Sequence, residues 1–402
     1  MIPLAKKGIY TKTYRRLSFI ETNTADHLPV IQALRFLAAA MVLFAHLNHI
    51  VISRPDEFGN FSPFTPVWWP IGVDIFFVIS GFIMYHIAQD QFGASGASKN
   101  FLLQRWTRLV PPYWFFTSLT LVAMTFLPGR MVIHTASIEN IIGSYLFIPA
   151  DNIYGHQFPV LILGWTLNYE MMFYTIFAIS LNCKKSAGLI LVAAALLCFA
   201  AIGAVPFVHP QWQLPGPLRS WCNPIVLEFL LGIFVAMLRK SGVRFGAATG
   251  VGLIALGLLA MFEFQTLGIS GSHWLWRFAW GGGPSALLVA GASLVDWQNQ
   301  VNRLMRLLVL LGDSSFALYL SHPFALSALA LTAHRFEHGL AGVYIAVGFV
   351  ACNAVAVTLH LTFEKPVHRW LKRRLPRTPD NGSRIQQSQQ FPSPFTSTGG
   401  TP

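Results

Sequence analysis

Charged residues are scarce in this sequence of 402 residues, where they make up only 11% of the chain. An ordinary soluble domain has roughly 25%. Acidic residues are the scarcest, with 16 Asp and Glu against 28 Lys and Arg, while 54% of the residues are hydrophobic. A soluble chain of this length needs more polar surface to cover so many apolar residues. The composition therefore excludes both a soluble globular enzyme and a disordered protein.

Cysteine is also rare. The four cysteines, Cys183, Cys198, Cys222 and Cys352, show no short paired spacing. This excludes a disulfide framework, and it gives no sign of a metal site. We expect neither a metal nor a bound cofactor.

Long apolar segments are abundant instead. Ten of them have nearly the roughly 20 residues that a helix needs to cross a bilayer. They lie at about 29–52, 68–88, 109–128, 160–181, 187–206, 221–238, 245–263, 275–295, 313–333 and 340–362. The stretch 138–150 is apolar but too short to span, and is typical of an interfacial or re-entrant piece. The predicted fold is all-α: a polytopic membrane protein with about ten transmembrane helices.

The basic residues predict the orientation of these helices. When loops are assigned alternately to the two sides, 22 of the 28 Lys and Arg fall on the side of both termini and 5 on the other. By the positive-inside rule, both termini are cytoplasmic in a multi-pass protein of the cell's inner membrane. The same rule explains the net charge of +12 without a nucleic-acid partner. We expect a basic cytoplasmic segment at 1–27, a membrane domain at 28–370 and a disordered cytoplasmic tail at 376–402.

Ionisable residues inside predicted spans are costly in hydrocarbon and are therefore candidates for function. Arg35 and His46 are 11 residues apart in the first segment. They consequently lie about 20° apart on one helical face, separated by about 16 Å of rise. Alternatively, Arg35 reaches a lipid phosphate and His46 bonds a neighbouring helix.

Other polar residues interrupt later segments in the same way. Asp74 stands among Phe and Ile, where it must be paired or protonated, and a structural Asp–Arg or Asp–His pair is one interpretation. Arg105 and Arg108 are near neighbours on one helical face, suited either to phosphate binding or to simple anchoring at the membrane surface. The prolines at 111–112 predict an irregular start to that helix. The remaining candidates are Glu170 with Thr166 and Tyr174 on its face, Glu228 within its segment, and Ser315, Tyr319 and His322 on one face. Together they predict a polar cavity inside the bundle.

Five stretches together resemble the acyltransferase family 3 membrane proteins. They are Arg35-x10-His46, GVDIFFVISGF (72–82), Arg105-x-x-Arg108 before PPYW (111–114), GWTLNYEMMFY (164–174) and LYLSHPF (318–324). The form GWTLNYEMMFY is most similar to the branch that acts in exopolysaccharide production. Many relatives have two adjacent acidic residues there, whereas this chain has only Glu170.

The resemblance implies transfer of an acyl group, usually acetyl, from cytoplasmic acyl-CoA to a sugar hydroxyl. The expected partners are acyl-CoA as co-substrate, a lipid-linked or nascent saccharide as acceptor, and membrane lipids. The resemblance also implies that Arg35, His46, Arg105 and Arg108 matter for activity. In this hypothesis the arginines hold the phosphates of the donor. His46 is the general base, because imidazole suits that role near neutral pH, and Glu170 or Asp74 orients it.

Two other functions fit the same composition. A transporter or flippase for a polysaccharide precursor also carries intramembrane charges. The absence of internal repeats and the arginine pair favour the enzyme. A purely structural or sensory membrane protein leaves the polar residues unexplained.

Overall fold

The computed structural model describes residues 28–58, 71–126, 136–209, 211–266, 275–297, 302–332 and 340–374. The predicted segment 1–27 and the predicted tail 376–402 lie outside the described residues. Within these ranges the chain is helical, and its one β-type pairing is an isolated bridge between Phe245 and Val295. The predicted all-α class is therefore confirmed. All four cysteines are free.

The α-helices are numbered along the chain. They are α1 (Pro29–Ile52), α2 (Pro55–Phe58), α3 (Gly72–Ala88), α4 (Ala97–Phe126), α5 (Ile138–Leu146), α6 (Gly164–Ser180), α7 (Lys185–Val208), α8 (Leu218–Trp221), α9 (Leu227–Lys240), α10 (Ala247–Thr266), α11 (Gly283–Ser293), α12 (Arg303–Asp313), α13 (Ser315–Ala330), α14 (Ala341–Leu359) and α15 (Lys365–Arg374). A 3-10 turn at Pro224–Val226 precedes α9. π-Helical turns at Phe278–Gly282 and His360–Glu364 precede α11 and α15.

Each of the ten predicted segments overlaps at least one of these helices. Among the described residues, four helices are long and apolar enough to cross a membrane: Pro29–Ile52, Ala97–Phe126, Lys185–Pro206 and Ala341–Arg374. The pair α12 and α13 adds a fifth if it counts as one span broken by a 67° bend. The number of spans and the side of the termini stay predictions.

Helix α4 differs from its prediction at the N-terminal end. It begins at Ala97, well before the expected start, and continues through Pro111 and Pro112. A proline lacks the N–H that would bond the carbonyl four residues earlier, so Pro111 leaves the carbonyl of Thr107 without its helical donor. The helix nevertheless continues through both prolines, and α15 packs against it.

Helix α3 lies at the centre of the bundle. It packs against α1, α9 and α11, and nearly all of its residues are buried because it is apolar around its whole circumference. Its closest neighbour is α9. A Cβ atom on Gly81 would overlap the carbonyl oxygen of Phe229, and one on Gly232 would overlap that of Val78. Glycine at both positions lets the two backbones touch, which is how helices associate in a membrane.

Candidate active site

A cavity of about 100 Å³ lies between α1, α3, α4, α6 and α13. One part of its wall is apolar, with Val73, Phe76 and Phe77 of α3. The other part is polar, with Arg35, Ser80, Arg105, Arg108, Thr166, Glu170, Tyr174, Ser315 and Tyr319. The bundle thus contains a polar cavity, and it brings together residues that lie as many as 284 positions apart in the sequence.

Three arginines face this cavity without a carboxylate partner. Arg35 is buried, and its Nη1 donates only a long hydrogen bond of 3.4 Å to Oε1 of Gln32. The guanidinium of Arg105 lies 5.7 Å from the centre of the Phe101 ring, and its buried Nε has no hydrogen-bond partner in the part of the chain that the structure describes. Within the described residues, neither these two nor Arg108 forms an ion pair. The cavity therefore holds a surplus of positive charge.

Glu170 is bound by hydroxyl groups on the same wall. The hydroxyl of Tyr174, one helical turn along α6, donates to Oε1 of Glu170, and Ser80 of α3 donates to the same oxygen at 3.3 Å. Thr166, on the other side of Glu170 in the sequence, instead bonds the hydroxyl of Tyr319 at 2.9 Å. The carboxylate therefore belongs to the cavity with the arginines, and no hydrogen bond joins it to His46.

His46 lies outside the cavity wall. Its side chain is exposed, and its ring contacts that of His322 on α13 with 5.1 Å between centroids and a 42° angle between planes. His322 is buried, with 1% of its surface exposed. The structure brings the two histidines together but separates His46 from Arg35 and its cavity, although both share one face of α1.

Asp74 is part of a second polar cluster away from the cavity. Both of its carboxylate oxygens accept hydrogen bonds from Arg277, at 3.2 Å from Nε and 3.0 Å from Nη2. Glu228 of α9 lies fully buried beside Asp74. Two glycines make room for these carboxyl groups: a Cβ on Gly281 would lie 2.5 Å from Oδ1 of Asp74, and one on Gly282 would lie 2.9 Å from Cγ of Glu228.

This cluster favours the structural interpretation of Asp74 as one member of an Asp–Arg pair. Arg277 was not predicted as this partner, because the charge count treats it as an ordinary loop residue. The available signal was physical: a carboxylate inside a span requires a partner. Arg277, at the edge of the segment 275–295, was one of the few cations outside the cytoplasmic side.

The chain's family is decided by a comparison with known families. The model of the acyltransferase 3 family, described as an acyltransferase domain, matches residues 28–361. The chain belongs to the acyltransferase 3 family. It is therefore an acyltransferase, and its apolar helices agree with a membrane protein. The resemblance predicted from the five sequence stretches is confirmed.

Two curated relatives of this acyltransferase support the same class. It is 30% identical over 299 residues to the exopolysaccharide production protein ExoZ of Rhizobium meliloti (strain 1021), a match that covers 74% of this chain and 89% of the relative. It is 26% identical over 397 residues to the acyltransferase MdmB of Streptomyces mycarofaciens, covering 87% of this chain and 94% of the relative. No solved structure matches the acyltransferase.

Proposed function

We propose that this acyltransferase moves an acyl group, acetyl as the first choice, from cytoplasmic acyl-CoA to a hydroxyl of a lipid-linked or nascent saccharide. The observation that carries the proposal is the set of three arginines, Arg35, Arg105 and Arg108, that face one cavity without an ion-pair partner in the described part of the chain. Guanidinium groups bind phosphates with charge-assisted, often bidentate hydrogen bonds. Acyl-CoA carries such phosphates.

A second feature of the cavity supports an anionic ligand. Ser315 is the first residue of α13, and its buried hydroxyl, which has no hydrogen-bond partner among the described residues, lines the cavity. A helix N-terminus carries a partial positive charge, so the start of α13 adds to the attraction of the arginines. We assign Glu170 to the part of the site that binds acyl-CoA, where its contacts with Tyr174 and Ser80 shape the wall beside the arginines.

The proposed topology puts the arginines next to the donor. The charge count predicts ten spans with both termini in the cytoplasm, and in that arrangement Arg105 and Arg108 lie near the cytoplasmic surface of the inner membrane. Acyl-CoA is made in the cytoplasm. The saccharide acceptor is proposed because the relative ExoZ is described as an exopolysaccharide production protein.

The proposed chemistry is a single acyl transfer. His46 takes the proton of the acceptor hydroxyl, the oxygen bonds the thioester carbonyl carbon and the C–S bond breaks. The proton held by His46 then goes to the sulfur, which leaves as the free thiol of CoA. Because His46 lies off the cavity wall, the phosphates and the reacting carbonyl of the donor occupy separate places. Asp74 pairs with Arg277 and takes no part in the transfer.

The test uses the purified full chain in lipid nanodiscs with radiolabelled acetyl-CoA and a glycolipid extract of the source cells. We expect thiol release together with label in the glycolipid fraction, and loss of both at low acetyl-CoA in Arg105→Ala. Arg306→Ala is the matched control, because Arg306 is an exposed arginine of α12 away from the cavity. Saccharide movement across a vesicle membrane without any thiol release would instead favour the transporter and overturn the proposal.

A further inference from the structure

His322, the buried histidine of α13, has neighbours both in the cavity wall and outside it, where His46 lies. Its ring centroid lies 6.2 Å from that of Tyr319, which lines the cavity, and 5.1 Å from that of His46, which does not. Nothing in the proposed function uses this side chain, although a fully buried imidazole in a membrane protein is a candidate for function by default. The inference below rests on the proposed function, with His46 as the base.

The backbone around His322 determines which ring nitrogen carries the hydrogen. Nδ1 lies 3.0 Å from the carbonyl oxygen of Leu318, and a carbonyl only accepts, so Nδ1 must be the protonated nitrogen of the neutral ring. Nε2 therefore has a lone pair. It is buried and has no hydrogen-bond partner in the described residues.

The neighbouring ring of His46 is at the right distance to be that partner. Two imidazoles joined by one N–H···N hydrogen bond of about 2.9 Å have centroids about 5 Å apart. The observed separation is 5.1 Å, and the exposed ring of His46 has room to turn. We propose that Nε2 of His322 accepts a hydrogen bond from His46 and thereby positions His46 as the base of the acyl transfer.

The chemical consequence follows from the two nitrogens of an imidazole. When one nitrogen of His46 donates a hydrogen bond to His322, the other nitrogen has the lone pair and faces the acceptor hydroxyl. This is the part that a carboxylate takes in a catalytic triad, where it selects the tautomer of the histidine and stabilises the imidazolium that forms. The two carboxylates that the sequence suggested for this role are engaged elsewhere, since Glu170 is bound by Tyr174 and Asp74 by Arg277.

The experiment is a double-mutant cycle on the purified chain, with labelled transfer normalised to folded protein. His322→Leu should lower kcat at least about tenfold, and by no more than His46→Ala does, because a general base contributes about 10²–10⁴-fold. The KM for acetyl-CoA should not change, since His322 does not line the cavity. His322→Gln, which has an acceptor at the distance of Nε2, should recover part of kcat. In the His46→Ala background, His322→Leu should have no further effect.

Ser321→Ala is the matched control, because Ser321 is equally buried on the same helix and makes no hydrogen bond in the described residues. It should leave kcat unchanged. Additive effects of His46→Ala and His322→Leu, or a kcat for His322→Gln as low as that of His322→Leu, would overturn the inference. Failure of the proposed function gives a different result, because the wild-type chain itself would then release no thiol and label no glycolipid.

Discussion

Arg277 provides the sharpest test of how the interior of the bundle is held together. Its guanidinium makes two hydrogen bonds to Asp74, which is fully buried, and Glu228 lies fully buried beside Asp74. Replacing the arginine by methionine keeps much of its volume but leaves two neighbouring carboxyl groups without a cation. Removing one partner of a buried ion pair usually costs about 3–5 kcal/mol.

For Arg277→Met we expect a loss of stability at the lower end of that range. The side chain of Arg277 is 35% exposed, so part of its attraction to Asp74 is screened. A loss of about 3 kcal/mol corresponds to a fall of about 4 °C in the unfolding midpoint of a chain of this size. Asp74→Asn should lose less, because Arg277 still has the carboxyl group of Glu228 close by. Activity per folded molecule should stay near that of the wild type in both variants, since neither residue lines the cavity.

Arg219→Met is the matched control. Arg219 also pairs with an aspartate, Asp151, but the two side chains are 45% and 48% exposed, and such surface pairs contribute only about 0–1 kcal/mol. The assay is the fraction of detergent-solubilised protein that remains monodisperse after heating, followed by transfer per folded molecule. The reasoning fails if Arg277→Met is as stable as Arg219→Met. Loss of transfer in fully folded Asp74→Asn would return Asp74 to the list of catalytic residues.

Three further predictions concern the donor, the base and the topology. Arg105→Ala and Arg108→Ala should each raise the KM for acyl-CoA about 10–150-fold, because a lost charge-assisted contact costs about 1.5–3 kcal/mol. Lysine at either position should restore the KM only partly, and an unchanged KM in both alanine variants would refute the proposed acyl-CoA site. His46→Ala should lower transfer about 10²–10⁴-fold in protein that still inserts, whereas His49→Ala, exposed on another face, should tolerate replacement. The tail 376–402 should be protected from an impermeant label in intact cells, and labelling there would reverse the orientation.

Local features of the fold and the site are predictable from the sequence because they depend on neighbours along one helix. Apolar length located every one of the ten helical segments. The spacing of Glu170 and Tyr174 predicted that they share a face, and they form a hydrogen bond. The start of α4 was predicted too late because Pro111 and Pro112 suit the first turn of a helix better than its interior, whereas here the helix continues through both.

Contacts between helices are not predictable in the same way. Helical periodicity tells which residues share a face, but it does not tell which helix that face meets. Asp74 and Arg277, for example, are 203 positions apart. Likewise, nothing in the sequence around Arg35 and His46 indicates that these two residues of α1 face different surroundings. In a membrane, helices choose partners mainly by close packing and interhelical hydrogen bonds, which depend on small residues at matching heights. The pairing of α3 with α9 is a case where such residues can be tested directly.

Gly81 and Gly232 lie in that interface, and alanine at either position should separate the two helices. The added Cβ would overlap a backbone carbonyl, of Phe229 or of Val78, and a backbone cannot turn aside as a side chain does. Forcing extra atoms into a packed interior typically costs about 1–3 kcal/mol.

Alanine at Gly81 should also disturb the proposed acyl-CoA site. The helix that it displaces, α3, carries Ser80 one residue before Gly81, and the hydroxyl of Ser80 donates a hydrogen bond to Glu170. Gly81→Ala should therefore lower both the heat resistance and the transfer per folded molecule, unlike Arg277→Met, which should lower the first alone. Gly252→Ala is the control, since a Cβ there meets nothing within 4 Å and alanine favours a helix by up to about 1 kcal/mol. If Gly81→Ala matches Gly252→Ala in both measurements, the contact between α3 and α9 is looser than described, and α3 does not set the geometry of the cavity wall.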